Sequence, residues 1–292
     1  MTGTTPTPIV VTGATGPLGR HIVDGLIARG VAPSDVVAIG RNTDKLAALH
    51  GLGVRTAVAD YADRASLDAA FAGAGTLVLV SGSEVGQRVR QHTNAIDAAV
   101  AAGVSRIVYT SAPKATTSTL ILAPEHKATE EYLGSVGVST TILRNSWYTE
   151  NYVADVSRSA ESGVLVSSTG DGRVASASRV DYAEAVAAVL TSDGHEGAVY
   201  ELSGDVAWTY ADLAAAISEI TGSPVEWKNV STDEHVAILT AAGLDEGTAG
   251  FVAALDANIR DGLLGETSGD LARLIGRPTT PLVEGLRAAI AD

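Results

Sequence analysis

A chain of 292 residues without cysteine has no disulfide framework, thiolate zinc site, iron–sulfur cluster or cysteine nucleophile, and its six histidines form no pair at metal-ligand spacing, so no metal is expected. The length supplies core for two lobes, and with 46% hydrophobic and 18% charged residues no apolar run approaches the roughly 20 residues of a bilayer-spanning helix. The net charge of −14 argues against a nucleic-acid surface; residues 1–150 carry 12 basic and 12 acidic side chains and residues 151–292 carry 8 and 22, so the first half is the better place for an anion.

The opening Met1–Pro8 segment is polar, with neither a basic n-region nor an apolar h-region, and the cytoplasm is the expected location. From there short aliphatic runs alternate with amphipathic stretches of helical length. That is the pattern of parallel strands buried on both faces and joined by crossover helices. Strands are expected over Pro8–Thr12, Val36–Gly40, Val54–Ala59, Thr76–Ser81, Arg106–Thr110 and Ser139–Leu143, with helices near 17–29, 43–50, 64–72, 86–102 and 124–136. The fold class is α/β: a Rossmann-type doubly wound parallel sheet over residues 1–145, then a smaller C-terminal α+β lobe over 146–292.

The first strand runs into Gly13-Ala14-Thr15-Gly16-Pro17-Leu18-Gly19, and a helix follows at once. A dinucleotide's pyrophosphate has to approach backbone N–H groups at a helix N-terminus, where a Cβ would hold it away, so glycines at this junction suit it. The spacing is G-x-x-G-x-x-G, and Pro17 falls at the first helical turn, where a missing N–H costs nothing. An ordinary βα turn is the plainer alternative.

The second strand ends Ile39-Gly40-Arg41, a cation where a site preferring NAD usually holds an acid for the ribose 2′-hydroxyl. Arg41 can pair with a 2′-phosphate and Lys45, one turn on, can add charge, which predicts NADP(H) over NAD(H); a solvated surface arginine is the alternative. Asp60 and Tyr61, after the third strand, are placed to flank an adenine, though an aspartate there also caps a helix. Ser81, Gly82 and Ser83 close the fourth strand with small residues where the cofactor's ribose would cross the sheet's edge. Gln87 can reach the nicotinamide side or stand in solvent.

After Leu143 the rhythm changes to turns, short strands and helices that include Tyr182–Leu190, Tyr210–Thr221, Glu234–Ala242 and Pro281–Ala291. Asp171-Gly172 predicts a hairpin over Val164–Ser178 that returns the chain toward the sheet. Trp208 and Trp227 read as packing anchors. No linker rich in Pro, Gly and Ser divides the halves, so the lobes are expected to share one core.

The glycine loop, Ser83-Glu84-Val85-Gly86-Gln87-Arg88, Leu143-Arg144-Asn145-Ser146-Trp147-Tyr148-Thr149-Glu150-Asn151-Tyr152 and Val174–Tyr182 together resemble the atypical short-chain dehydrogenase/reductase branch, within it the NmrA-like family and its type 2 NAD(P)H:quinone oxidoreductase group. The likeness spans nearly the whole chain, reaching Val199–Gly204; the stretch after Leu143 is its most discriminating part. The resemblance implies an NADPH-dependent reductase of quinones, with the cofactor along the glycine loop and the acceptor in a cleft between lobes. The superfamily's usual acid, Tyr-x-x-x-Lys, is missing: four residues before Lys127 stands Ala123. A quinone tolerates that loss, because hydride addition leaves an aromatic hydroquinone anion and the protein mainly has to hold the reactants together and exclude water.

Lys127, His126 and Ser111 are the candidates for the remaining acid duty, and solvent can also serve. Lys127 falls where the superfamily aims a lysine at the nicotinamide ribose, but reads equally as a surface helix lysine; His126 reads as a solvated histidine; Ser111 falls at the superfamily's serine and also suits a turn cap. Asn145 is expected on the nicotinamide side. Trp147 and Tyr148 are expected to line a planar acceptor's slot, with Tyr148 or Asn151 supplying hydrogen bonds; core aromatics are the alternative. The partner is then a small-molecule quinone or other planar acceptor, with no nucleic acid and no membrane. A homodimer through exposed helices is compatible with this class. Two other functions fit the same fold: a redox-sensing regulator that binds NADP(H) with little turnover, and a reductase of a carbonyl, imine or activated alkene.

Overall fold

The computed structural model describes residues 7–291. Its first half runs β1 (Ile9–Val11), α1 (Pro17–Ala28), β2 (Val36–Gly40), α2 (Thr43–His50), β3 (Arg55–Val58), α3 (Arg64–Phe71), β4 (Thr76–Leu79), α4 (Arg88–Ala101), β5 (Arg106–Ser111), α5 (Ala123–Ser135) and β6 (Ser139–Asn145). There follow α6 (Val153–Ser162), β7 (Val164–Ser167), β8 (Arg173–Val174), α7 (Arg179–Thr191) and β9 (Val199–Leu202). The chain continues as β10 (Trp208–Thr209), α8 (Tyr210–Thr221), β11 (Glu226–Asn229), α9 (Thr232–Ala241), α10 (Glu246–Arg260), α11 (Asp270–Ile275) and α12 (Leu282–Ala291).

The main sheet has the order β3-β2-β1-β4-β5-β6-β9, and the first six strands pair in parallel. The order in which successive strands are added reverses between β1 and β4, the switch point at which doubly wound sheets bind ligands outside the strands' carboxyl ends. The aliphatic runs form strands because both faces are covered. Val10, Ile39, Leu77, Leu79, Ile107 and Ile142 face a core with Phe71, Ile96 and Leu133 of the crossover helices. Val11, Ala38, Val78, Val108 and Leu143, at the alternate positions, are buried as well. Each buried Val, Leu, Ile or Phe side chain among them contributes about 1.5–3 kcal/mol.

Two compact units divide the chain. One comprises the chain up to Thr116, Leu122–Asn145 and Arg179–Glu201; the other Thr117–Ile121, Ser146–Ser178 and the chain from Leu202 onward. The sheet unit thus takes in α7 and most of β9, beyond the six strands and the 1–145 span expected of it. Helix α7 lies against α1, where Gly25 permits close approach: a Cβ there would stand 3.3 Å from the Cβ of Ala187.

In the second unit the expected hairpin over Val164–Ser178 is replaced by two separate pairings. β7 pairs in parallel with β11 and β8 antiparallel with β10, so the Asp171-Gly172 turn joins strands with different partners. The turn signal is local, whereas these partners come from 34 or more residues later in the chain. Trp208 is buried, its indole N–H donating to Ser176 Oγ at 3.0 Å; Trp227 donates to Ser167 Oγ at 2.9 Å. Helix α9 begins earlier than expected because Ser231 caps it, accepting from the Glu234 N–H at 3.2 Å. Among the described residues no helix is long and apolar enough to cross a membrane.

Candidate functional site

The glycine loop leaves β1 at Thr12, a fully buried residue whose hydroxyl donates to the Val78 carbonyl at 3.0 Å and accepts the Val80 N–H at 2.9 Å. The loop is pinned to β2 by the Ala14 N–H on the Ile39 carbonyl, 2.9 Å. Gly13 has φ +60°, a conformation that favours glycine. Gly19 is needed for space: a Cβ there would overlap the Gly13 carbonyl, 2.6 Å from its carbon and 2.9 Å from the Ala14 Cα. At the start of α1, Gly16 supplies no side-chain cap and Pro17 has no N–H. The Leu18 and Gly19 amides are therefore first-turn donors without intrahelical acceptors. The cradle fits a diphosphate, which takes the helix dipole and these amides together.

At the end of β2, Gly40 lets the Thr15 side chain approach; a Cβ at residue 40 would lie 3.1 Å from the Thr15 Cβ. Arg41 is 65% exposed, with Nη1 3.0 Å from Glu84 Oε1 and 3.7 Å from Asp60 Oδ2. Lys45 is exposed on α2. A guanidinium in water beside the strand ends suits a phosphate dianion, and these residues fit the 2′-phosphate of NADP(H).

Tyr61 also has a bracing role within the sheet. Its hydroxyl reaches inward to the Thr12 hydroxyl and to the Val80 carbonyl, 2.6 Å, and burial holds the phenol well above its usual pKa. It fixes the β1 and β4 ends to each other. Asp60 Oδ1 accepts the Ala62 N–H at 2.9 Å, a local turn bond that leaves its other oxygen toward Arg41.

Ser81, Gly82 and Ser83 leave β4 on a segment held from below by buried polar groups that sequence reasoning missed. The Ser81 N–H donates to Thr110 Oγ1 (2.9 Å) and the Gly82 N–H to His92 Nε2 (2.9 Å). Since an N–H can only donate, His92 is the Nδ1–H tautomer, which directs its proton to Thr129 Oγ1, 3.0 Å. Arg88, 5% exposed, donates from Nε to the Gly82 carbonyl (2.8 Å) and from Nη1 to Glu125 (2.6 Å), whose other oxygen accepts the Gly86 N–H (2.9 Å). Gln87 is exposed and forms the N-cap of α4. Arg88, Gln91 and His92 fall on the buried face of α4 with Ala95 and Ile96. Their i, i+3, i+4 spacing was the available signal, hidden because the residues are polar.

The three candidate acids have different partners. His126 is 5% exposed, its Nδ1 2.7 Å from the Tyr109 hydroxyl; burial, then the Arg88 charge, lowers its pKa to about 3, so it is neutral at pH 7 rather than solvated as the sequence suggested. Ser111 donates to Glu130 Oε1 at 2.6 Å. That carboxylate also takes two bonds from Arg144, at 3.0 and 2.6 Å, and Arg144 continues to Glu201 at 2.7 Å. Glu130 and Arg144 are 14 residues apart, with no local pattern to link them. Lys127 is 49% exposed and faces Glu131 at 3.9 Å, one turn along α5.

Asn145 is buried at the end of β6. In the second unit Trp147 and Tyr148 are half-buried and Asn151 is exposed. The Trp147 carbonyl accepts the Ala177 N–H at 3.1 Å and Tyr148 bridges Ala177. This segment's backbone is fixed while the aromatic rings keep partial exposure. Among the described residues no three His, Cys, Asp or Glu side chains gather as metal ligands.

A sequence profile of the NmrA-like family matches residues 5–252. Quinone oxidoreductase 2 of Escherichia coli (strain K12) is 46% identical over 278 residues, 95% of this chain and 97% of that protein. The crystal structure of the NADPH-dependent quinone oxidoreductase of Escherichia coli complexed with NADPH superposes with a TM-score of 0.91 at 46% identity, covering 96% of this chain and 99% of that one. A triphenylmethane reductase of Citrobacter sp. complexed with NADP(H) also gives 0.91, at 39% identity over 96% and 99% of the two chains.

Proposed function

We infer the function from the premise that this chain belongs to the NmrA-like family: it is an NADPH-dependent oxidoreductase that passes hydride to a quinone. The observation that carries this reading is the juxtaposition, on one edge of the sheet, of an uncapped helix start, a glycine loop with no room for a Cβ at Gly19, and an exposed Arg41. NADPH, when bound, supplies the hydride. The Leu18 and Gly19 amides hold its diphosphate and Arg41 its 2′-phosphate, with Lys45 adding charge. The Ser81–Ser83 segment, braced by His92, Arg88 and Glu125, offers a backbone that does not have to reorganise as charge moves. Asn145 is assigned to the nicotinamide side, and Trp147, Tyr148 and Asn151, which follow β6 directly, to the planar acceptor.

The proton comes from solvent. A hydroquinone oxygen is a phenol, with a pKa near 10 like tyrosine, so the anion takes a proton from water at neutral pH without a dedicated acid. Of the three candidates, His126 is buried and neutral, the Ser111 proton is directed to Glu130 and Lys127 pairs with Glu131. A cytoplasmic setting, where this reductant is regenerated, and a homodimer complete the proposal; sedimentation of the purified protein checks the dimer.

The test is direct. NADPH and NADH are titrated separately, then quinones, a triphenylmethane dye, ketones and activated alkenes are added and loss of reduced-nicotinamide absorbance is followed. Turnover of quinones with a preference for NADPH is expected. Tight NADPH binding without consumption would mean a sensor, and a response confined to ketones or alkenes would replace the quinone.

A further inference from the structure

Arg41 already holds a carboxylate where the proposed function places a phosphate. Its Nη1 is 3.0 Å from Glu84 Oε1, and Glu84 is anchored from the other side by Gln91 Nε2, which donates to Oε2 at 2.7 Å. Gln91 is 4% exposed, so this anchor is a built feature of α4 and not a wandering surface pair. Asp60 stands further off, 3.7 Å from the same guanidinium nitrogen. We propose that Glu84 is the internal competitor of the adenosine 2′-phosphate: it neutralises Arg41 in the free protein, has to yield when the phosphate arrives, and thereby sets the margin between NADPH and NADH.

The inference rests on the NADPH reading of the site and adds to it a specificity-determining residue. A phosphate monoester carries about 1.5 to 2 negative charges at neutral pH and three acceptor oxygens, against one charge on the carboxylate, so it wins the guanidinium. The exchange replaces one ion pair by another, and the gain from the 2′-phosphate is reduced by the pair that is lost. NADH presents only a hydroxyl there and leaves the Arg41–Glu84 pair in place. Glu84 therefore weighs on one nucleotide and not the other. Because it lies on the Gly82–Gln87 segment leaving β4, phosphate binding beside β2 is also felt at the loop that crosses toward the nicotinamide side.

Calorimetric titration of the full chain with NADPH, NADH, 2′,5′-ADP and 5′-AMP, without any acceptor, tests this in the wild type, Glu84→Gln and Glu84→Ala. Both variants should bind NADPH and 2′,5′-ADP about 2- to 5-fold more tightly, the range an exposed ion pair supports, with NADH and 5′-AMP unchanged within about twofold. The salt dependence of 2′,5′-ADP binding should steepen in both, because one carboxylate fewer then stands beside the phosphate. A merely structural Glu84 moves all four ligands together; that result, or an unchanged NADPH-to-NADH ratio, overturns the proposal while leaving the cofactor assignment standing. A wild type that binds neither dinucleotide overturns the cofactor assignment and this inference with it.

Discussion

Arg41 keeps 65% of its side chain in water, so offering its charge to a phosphate costs little desolvation. Replacing it with alanine should weaken NADPH binding by about tenfold and leave NADH within about twofold, as read by equilibrium binding. Lys127 is exposed in the same way, but its neighbour is Glu131 on its own helix, and a pair of that kind contributes well under 1 kcal/mol. Lys127→Ala should keep kcat/KM for a quinone within about twofold; a loss of 100-fold would restore it as the acid and displace solvent from the mechanism. Legibility in the sequence divides along the same line. Arg41 and Gly19 act within a few residues of a strand end, where position alone carries the meaning. Ser111 and His126 depend on Glu130, Arg144 and Tyr109, which only the folded sheet brings to them.

The central strands of the sheet unit and the helices between them were legible because they satisfy two conditions at once: an apolar run long enough for a strand buried on both faces, then a helix of matching period. Helix α7 carries no such signal. Its apolar residues surround the helix, so it presents no single face by which sequence could assign it, and Ala183 and Ala187 are placed against α1 by contact with Gly25. The contact yields a graded prediction. An alanine at residue 25 puts its Cβ 3.3 Å from Ala187 and 3.7 Å from the Ala183 carbonyl oxygen, a tight fit offset by better helix propensity. Gly25→Ala should therefore leave the urea midpoint almost unchanged. Gly25→Val adds two methyl groups to the same gap, and overpacking of about 1–3 kcal/mol should lower it clearly. Equal midpoints for both variants would mean that α1 and α7 are not in close contact. The hairpin expectation failed for the complementary reason: a turn signal names a bend but not the partners of the strands on either side.

At the scale of the whole molecule the buried histidines decide how stability depends on pH. His92 and His126 are both lowered to about 3, by burial first; for His92 the charges of His126 and Arg88 add to it, and for His126 that of Arg88. In the unfolded chain a histidine takes its proton near 6.5. Between pH 6.5 and 3 the unfolded state therefore binds more protons than the folded one. Stability is complete above the window and falls with acid through it, by about 1.4 kcal/mol per pH unit for each histidine. Asp155 works in the opposite sense, since burial raises its carboxyl, while Asp212, lowered by bonds from Thr209, loses its contribution only in the carboxylate range. Asp212, lowered from the carboxylate range, titrates below pH 5 in both states, and Asp155, raised, can only oppose the fall, so of these four groups the histidines drive the loss there. On the order of 4 kcal/mol should be lost by pH 5, a large part of what a domain has to spare. Urea unfolding at pH 7, 6 and 5 should show this fall in the wild type. It should flatten in the double variant His92→Gln, His126→Gln, whose amides can hydrogen bond to Gly82 and Tyr109 but bind no proton in the window. A double variant with the wild-type slope would place the acid sensitivity elsewhere, and with it the claim that these two rings are neutral supports beneath the strand ends.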